Sequence, residues 1–432
     1  MAKILESFKK EKLNCWILYF LFLGIIQALW TNSSSFPPLP FRLLMTAGVF
    51  IPILFRRDLV LFVFPFFIIL RGQLSTAYQY LPDVYSYSFY ILLIIVAIIF
   101  HAKSLGRIDF KSILPFFLFC IYAVLVDVFA TMEIGKYAIN IFIALLISLF
   151  IKTEREISIL SAAIISVCLL LAVYYVVMYD TFLETWNTEE KIERSGWNDP
   201  NYFSILLGMG FMIAILYLLD YLKCDLWIFN KKILIVSCVL IFTAVVMTAS
   251  RAGFLSFFFI TILAIIKSKP RFITIIASTF IILAVAILLF RFGIFDTLIF
   301  RMFEQGNMDS GGGRTTIWAN ALENFQLQPF HNQLFGGGYW HRVELTGGIE
   351  THNELIAVIT DYGLIGVAIF LFLIFSMFSM SGKYSNVRNV AAVFYLLCIV
   401  SLSPFQYVNI GFLIIWILGL KQIGNTSRNC IQ

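Results

Sequence analysis

Uninterrupted apolar runs of membrane-spanning length recur along almost the whole chain, and they leave it very few folds. A hydrocarbon core about 30 Å thick offers backbone amides no water, so a crossing segment must satisfy its own hydrogen bonds. Helices do this, and so do closed barrels. A barrel strand reads as about ten residues of alternating character, whereas runs such as Ile233 to Ala249 and Phe254 to Ile266 are continuously apolar. The chain is therefore expected to be an all-α polytopic integral membrane protein. Composition agrees, with 60% of the 432 residues hydrophobic and only 13% charged, against about 25% charged in a soluble domain.

Fourteen candidate spans follow from hydropathy: 13–30, 41–55, 59–70, 84–100, 113–130, 134–151, 157–179, 201–219, 233–249, 252–266, 272–290, 354–380, 389–403 and 407–420. The second and third are short, and counting them as tilted or re-entrant gives twelve. The basic start, MAKILESFKKEK, is followed by an apolar run without a small-residue cleavage site, so that run reads as a retained first span. All seven cysteines fall in expected spans or on the inner side, which predicts no disulfide framework, and no Cys/His spacing resembles a zinc site.

Cytoplasmic loops retain Lys and Arg, so charge tests the alternation. With the N-terminus inside, 21 of the 31 basic residues fall on the cytoplasmic side and 10 outside. Both termini are then cytoplasmic, and residues 291–353 form a large outer loop within a single transmembrane domain, 1–432. A smaller outer loop, 180–199, is acidic and carries Trp186 and Trp197. Fourteen of the 21 inner basic residues are lysine, but 8 of the 10 outer ones are arginine. A guanidinium fork matches phosphate oxygens as an ammonium cannot, so this bias points to a phosphate-bearing substrate handled outside. Arginines at span ends such as Arg42, Arg71 and Arg291 are equally explained by snorkelling.

The stretch 291–361 holds three of the four histidines (His331, His341, His352) and two glycine triplets, Gly311 to Gly313 and Gly336 to Gly338. Four short constellations there and upstream could carry chemistry. Ser250-Arg251-Ala252-Gly253 sets a charge between two apolar runs, a costly placement unless the arginine is paired or faces water; a plain outer hairpin turn is the alternative. Asp199-Pro200-Asn201 opens the next-earlier span, where Asp or Asn caps a helix and Pro suits its first turn. Arg314 follows the first glycine triplet at a helix start, where backbone N–H groups could converge on an anion. Beyond it Ile317, Trp318, Ala321, Leu322 and Phe325 share one helical face, as expected of a helix lying along the membrane surface. Finally, His352-Asn353-Glu354 stands at the mouth of a span with Asp361 two turns deeper. Histidine takes a proton near neutral pH, so His352 is the candidate general base or phosphate ligand, oriented by Glu354 or Asp361. His331 and His341 are weaker candidates, with nothing fixed beside them in the sequence.

Taken in order, these patches resemble the O-antigen ligase and polymerase superfamily of bacterial envelope glycosyltransferases. The resemblance rests on Asp199 to Asn201, Ser250 to Gly253, Arg314 to Trp318, Gly336 to Gly338, His352-Asn353 and Asp361 to Gly366, over about 190 to 366. It implies a fold like that of the C-type glycosyltransferases, and a metal-independent, cofactor-free transferase at the periplasmic face of the bacterial inner membrane. Donor and acceptor would be glycans on undecaprenyl diphosphate, with membrane lipids and a chain-length regulator protein as partners, and no nucleic acid. An acceptor hydroxyl attacks the anomeric carbon and the lipid diphosphate leaves. Arg251 and Arg314 would stabilise the departing charge and His352 would take the proton. Asp199, Asn201, Ser250, Trp318, Asn353, Glu354 and Asp361 would bind substrate. A polymerase is preferred to a ligase acting on lipid A core because Trp186, Trp197, Trp340 and Tyr339 suit a sugar chain. A lipid-linked saccharide transporter is a third reading, disfavoured by the lack of repeated halves or paired broken helices.

Overall fold

The computed structural model describes residues 2–31, 39–73, 110–132, 134–148, 151–178, 200–224, 226–248, 250–267, 314–378, 384–401 and 408–429. Among them every regular element is helical, and four helices are long and apolar enough to cross a membrane. The protein is an all-α, multi-pass membrane protein. The expected spans 84–100 and 272–290, the loop 180–199 and the glycines Gly311 to Gly313 lie outside the described residues.

The chain divides into two compact units. The first comprises Met1–Lys103 and Thr153–Asp296. Its helices are α1 (Ala2–Thr31), α2 (Leu39–Phe55), α3 (Val60–Gln73), α6 (Glu154–Val177), α7 (Pro200–Leu218), α8 (Lys231–Met247) and α9 (Arg251–Lys267). The two short spans expected at 41–55 and 59–70 are α2 and α3, separated by a single 3-10 turn at Arg57–Leu59. Helices α6 and α7 form the centre of the unit. α6 packs against α3, α7, α8 and α1, while α7 also packs against α8 and α9. Small residues permit these close crossings: a Cβ on Gly210 of α7 would collide with the Cys168 side chain of α6. The start of α6 is written locally, since Thr153 caps Glu156 N and the Glu156 carboxylate returns to Thr153 N. Such a capping box stabilises a helix end by about 1 kcal/mol.

The second unit comprises Ser104–Lys152 and Thr297–Gln432. It holds α4 (Phe110–Thr131), α5 (Lys136–Ser148), α10 (Arg314–Gln326), α11 (Phe330–Phe335), α12 (His341–Leu345), α13 (Glu354–Phe378), α14 (Ser385–Ser401) and α15 (Val408–Asn429). Helix α4 is apolar on two faces, one turned to the protein and one left exposed. Phe116, Phe119, Cys120, Ala123 and Val126 bury one face, while Phe117, Leu118, Ile121, Leu125 and Phe129 are exposed. An exposed face of that kind would drive aggregation in water and is the ordinary state in hydrocarbon. Helix α13 is the hub of the unit, packing against α4, α14 and the three short helices α10, α11 and α12.

Helix α13 is not continuous. Gly363 sits at φ 65° and ψ −171°, a conformation no other residue adopts without strain, and it breaks the helix. The break leaves backbone groups without helical partners, and other parts of the chain supply them. Tyr122 of α4 donates its hydroxyl to the Phe335 and Tyr362 carbonyls, each at 3.0 Å. Gly338 N donates to the Asp361 carbonyl at 2.9 Å.

Candidate functional site

The turn Gly336 to Gly338 docks on this break. Gly336 and Gly338 have φ of 93° and 87°, and a Cβ on Gly336 would collide with the Asp361 carbonyl oxygen. Reciprocally, a Cβ on Gly363 would lie 2.6 Å from both Gly336 N and Leu334 O. Backbone thus lies directly on backbone, which only glycine permits on both sides.

Immediately after the turn, α12 delivers Arg342 into the protein interior. Its backbone N donates to Asp361 Oδ1 at 2.8 Å, its Nη1 donates to Asp361 Oδ2, and its Nε donates to Glu350 Oε1 at 3.0 Å. The arginine and aspartate side chains are fully buried. The guanidinium also lies over the rings of Trp340, Tyr339 and Tyr137 at 4.8, 5.5 and 5.7 Å from their centroids, and such contacts strengthen as water is excluded. Burial by itself would lower the Arg342 pKa, but Asp361, Tyr137 and Glu350 outweigh it and hold the group well above its ordinary value.

A second buried carboxylate supports the same loop. Asp127 Oδ1 accepts from Tyr339 N at 2.8 Å, and Oδ2 accepts from Gly135 N at 2.9 Å and from the Tyr362 hydroxyl at 3.4 Å. One side chain near the end of α4 therefore holds the α4–α5 turn, the segment before α12 and α13. Asp127 is not among the sequence candidates, and Arg342 is among them only as one of the basic residues expected outside. The signal for Asp127 was present, since it is a lone carboxylate in the apolar run 113–130, and such residues mark functional or organising positions. For Arg342 the sequence holds no signal, because its partners lie 8 and 19 residues away, one in the irregular segment before α13 and one inside α13.

His352 lies just before the start of α13, half-buried, in the left-handed region at φ 48°. Both of its neighbours are fixed. The Thr351 carbonyl accepts from Trp318 Nε1 at 2.7 Å. Asn353 Oδ1 accepts from Leu355 N at 3.0 Å and Ile356 N at 3.1 Å, making Asn353 the cap of α13. Its Nδ2 donates to the Val400 carbonyl of α14 at 3.3 Å. Glu354 is fully buried, and its charge acts on the nearby Tyr137. Arg314 begins α10 and stands one turn before Trp318, hence on the same helical face. Along α10, Ala321 and Phe325 are buried and Ile317, Trp318 and Leu322 half-buried, the amphipathic face read from the sequence.

In the second unit the structure thus gathers Trp318, His352, Asn353, Glu354 and Asp361 at one end of α13. Asp361, expected as an orienting group for His352, is engaged with Arg342 through both oxygens. His341 is less isolated than its sequence suggested: its Nδ1 lies 3.0 Å from Glu344 Oε2, and its ring packs on Gly337. His331 is exposed.

The first unit carries the other two constellations. Ser250 caps α9, its Oγ accepting from Gly253 N at 3.1 Å and donating to Asn201 Oδ1 at 2.8 Å. Gly253 stands against Ser204 of α7, whose side chain a Cβ would strike. Asn201 therefore reaches Ser250, and Ser250 sets the first turn on which Arg251 stands. Asp199 and the side chain of Arg251 lie outside what is described. Among the described residues, no three His, Cys, Asp or Glu side chains cluster as metal ligands do.

Residues 236–371 match the family model described as O-antigen ligase. This segment, just under a third of the chain, is similar to the O-antigen ligase superfamily. The matched segment includes Ser250 to Gly253, Arg314, Trp318, the Gly336–Gly338 turn, Arg342, His352 and the broken start of α13; Asn201 and Asp127 precede it. A search of curated proteins found no matching relative. The function supported at this level is of the O-antigen ligase or polymerase type, carried out by a membrane-embedded, glycosyltransferase-like enzyme on lipid-linked glycans.

Proposed function

We propose that the protein is an O-antigen polymerase, transferring a glycan from undecaprenyl diphosphate to a hydroxyl of another lipid-linked repeat unit at the periplasmic face of the inner membrane, with both termini in the cytoplasm. The observation that carries the reading is His352, held between two fixed neighbours at the mouth of α13 within the superfamily-matched segment. In this reading the acceptor hydroxyl loses its proton to His352 as its oxygen bonds to the anomeric carbon. The bond from that carbon to the diphosphate breaks, and the lipid diphosphate departs with the electron pair. Preorganised cations are the main means of stabilising such charge. Arg314 is assigned to it from its place one turn before Trp318, and Arg251 from its motif. The reading requires neither metal nor cofactor. Trp340, 40% exposed, offers a platform for a sugar ring; Tyr339 is buried against Arg342 and does not serve that purpose.

A second reading, ligation of finished polymer to lipid A core, is favoured by the description of the matching family. Lipopolysaccharide from a strain deleted for the gene separates the two. Core bearing one repeat unit is the polymerase result, and naked core with polymer left on its lipid carrier is the ligase result. A normal ladder would overturn both and favour transport. An Arg251→Ala copy that fails to restore the ladder is expected under either transferase reading.

A further inference from the structure

Between α12 and His352 the chain runs through Thr346, Gly347, Gly348, Ile349 and Glu350. Gly347 and Gly348 have positive φ, and space is open around the Cβ position of each, so packing does little to hold them. Glu350, two residues before His352, fastens this segment by its side chain through the bond from Arg342 Nε, in addition to the bonds from Gly348 N to the Val343 carbonyl, from Thr346 Oγ1 to the Ile349 carbonyl and from Trp318 Nε1 to the Thr351 carbonyl. The same guanidinium fastens Asp361, nine residues after His352, as does the Arg342 backbone N. Arg342 therefore closes a ring of chain from Glu350 to Asp361, with His352 in its left-handed turn inside it.

We propose that Arg342, Glu350 and Asp361 form a positioning clamp that sets the reactive geometry of His352, Glu350 being the member that governs its approach segment. The proposal rests on the reading of His352 as the base. It also gives Asp361 a role different from direct contact: Asp361 fixes the arginine, and the arginine fixes the loop. Buried ion pairs add little stability over a well-packed apolar substitute, so a fully buried pair beside a functional histidine calls for a geometric purpose. Arg342 is positively charged throughout the working range and does not itself exchange protons with substrate.

Glu350 carries the test, because its side chain is 19% exposed and its substitution leaves the Arg342–Asp361 pair in place. Glu350→Ala, Glu350→Gln and His352→Ala are expressed in the deletion strain. Turnover is followed in membranes, with the lipid-linked glycan that this strain accumulates as substrate. Acylation of His352 by diethyl pyrocarbonate is followed by peptide mass spectrometry at one fixed pH. Misplacing a reacting group by about 1 Å can cost about 100-fold. Glu350→Ala is accordingly expected to lower kcat at least about tenfold while KM changes less than about twofold. The acylation rate of His352 should change with it, and Glu350→Gln, which keeps an acceptor oxygen at the same reach, should recover most of both. Wild-type turnover and acylation in Glu350→Ala, with His352→Ala inactive, would overturn the clamp and leave the base reading standing. Full turnover in His352→Ala would overturn the base reading itself.

Discussion

Asp127 shows how one side chain can organise several segments that the sequence keeps apart. Each of its oxygens accepts a backbone N–H, from Tyr339 and from Gly135. Asp127→Asn replaces one acceptor by an NH2 group that must face a backbone donor, and an unsatisfied buried donor costs about 1–3 kcal/mol. Lower thermal stability and reduced protein in the membrane are expected, measured by detergent melting and immunoblot; unchanged melting would remove the organising role given to Asp127. His352→Ala tests a different property. It should abolish turnover while donor still binds and the fold persists, because His352 lies at the strand of chain between two anchors and is neither of them. The residues at the α13 mouth were legible in sequence because their types and order are informative in themselves. Arg342 and Glu350 are not legible in this way, since what defines them is whom they meet, and Asp127 is marked only as a lone carboxylate in an apolar run.

At the level of elements, the break in α13 and the Gly336–Gly338 turn behave as one unit, and Gly363 is its most constrained point. Gly363→Ala would place a side chain in a backbone region that is essentially glycine-only and 2.6 Å from Leu334 O. Such strain costs of order 1–3 kcal/mol before any collision. The variant is expected to lose the packing of α11 on α13, seen as new protease cleavage near Leu334; a protease-resistant variant would show that the break tolerates a Cβ. In the first unit the crossing of α9 on α7 makes a similar demand. Gly253→Ala should destabilise, and Ser204→Gly should relieve it, because the added methyl occupies the place of the Ser204 side chain. Additive losses in the double variant, read by the same melting assay, would show that the two positions do not share that space. Helix starts were readable from local signals, such as Thr153 with Glu156 and Asn353 before Glu354. The break at Gly363 was read only as part of a motif, since a single glycine in an apolar run does not reveal whether the helix continues through it.

For the molecule as a whole, charge asymmetry predicts that α10 to α12 face outward. A Glu323→Cys variant should react with a membrane-impermeant maleimide in intact spheroplasts, because Glu323 is exposed on α10. Labelling only after lysis would invert the orientation. The sequence by itself determined the all-α membrane class, the positions of α2, α3, α8 and α9, and the amphipathic character of α10. These follow from hydropathy, side-chain periodicity and capping, which act over a few residues and are therefore written locally. Only the tertiary structure decided that Asp361 binds Arg342, that Ser250 is joined to Asn201, and that the glycine turn rests on a broken helix. Those facts depend on close approach between segments up to hundreds of residues apart, as in the Tyr122 bonds to Phe335 and Tyr362, and a residue's type does not specify such a partner.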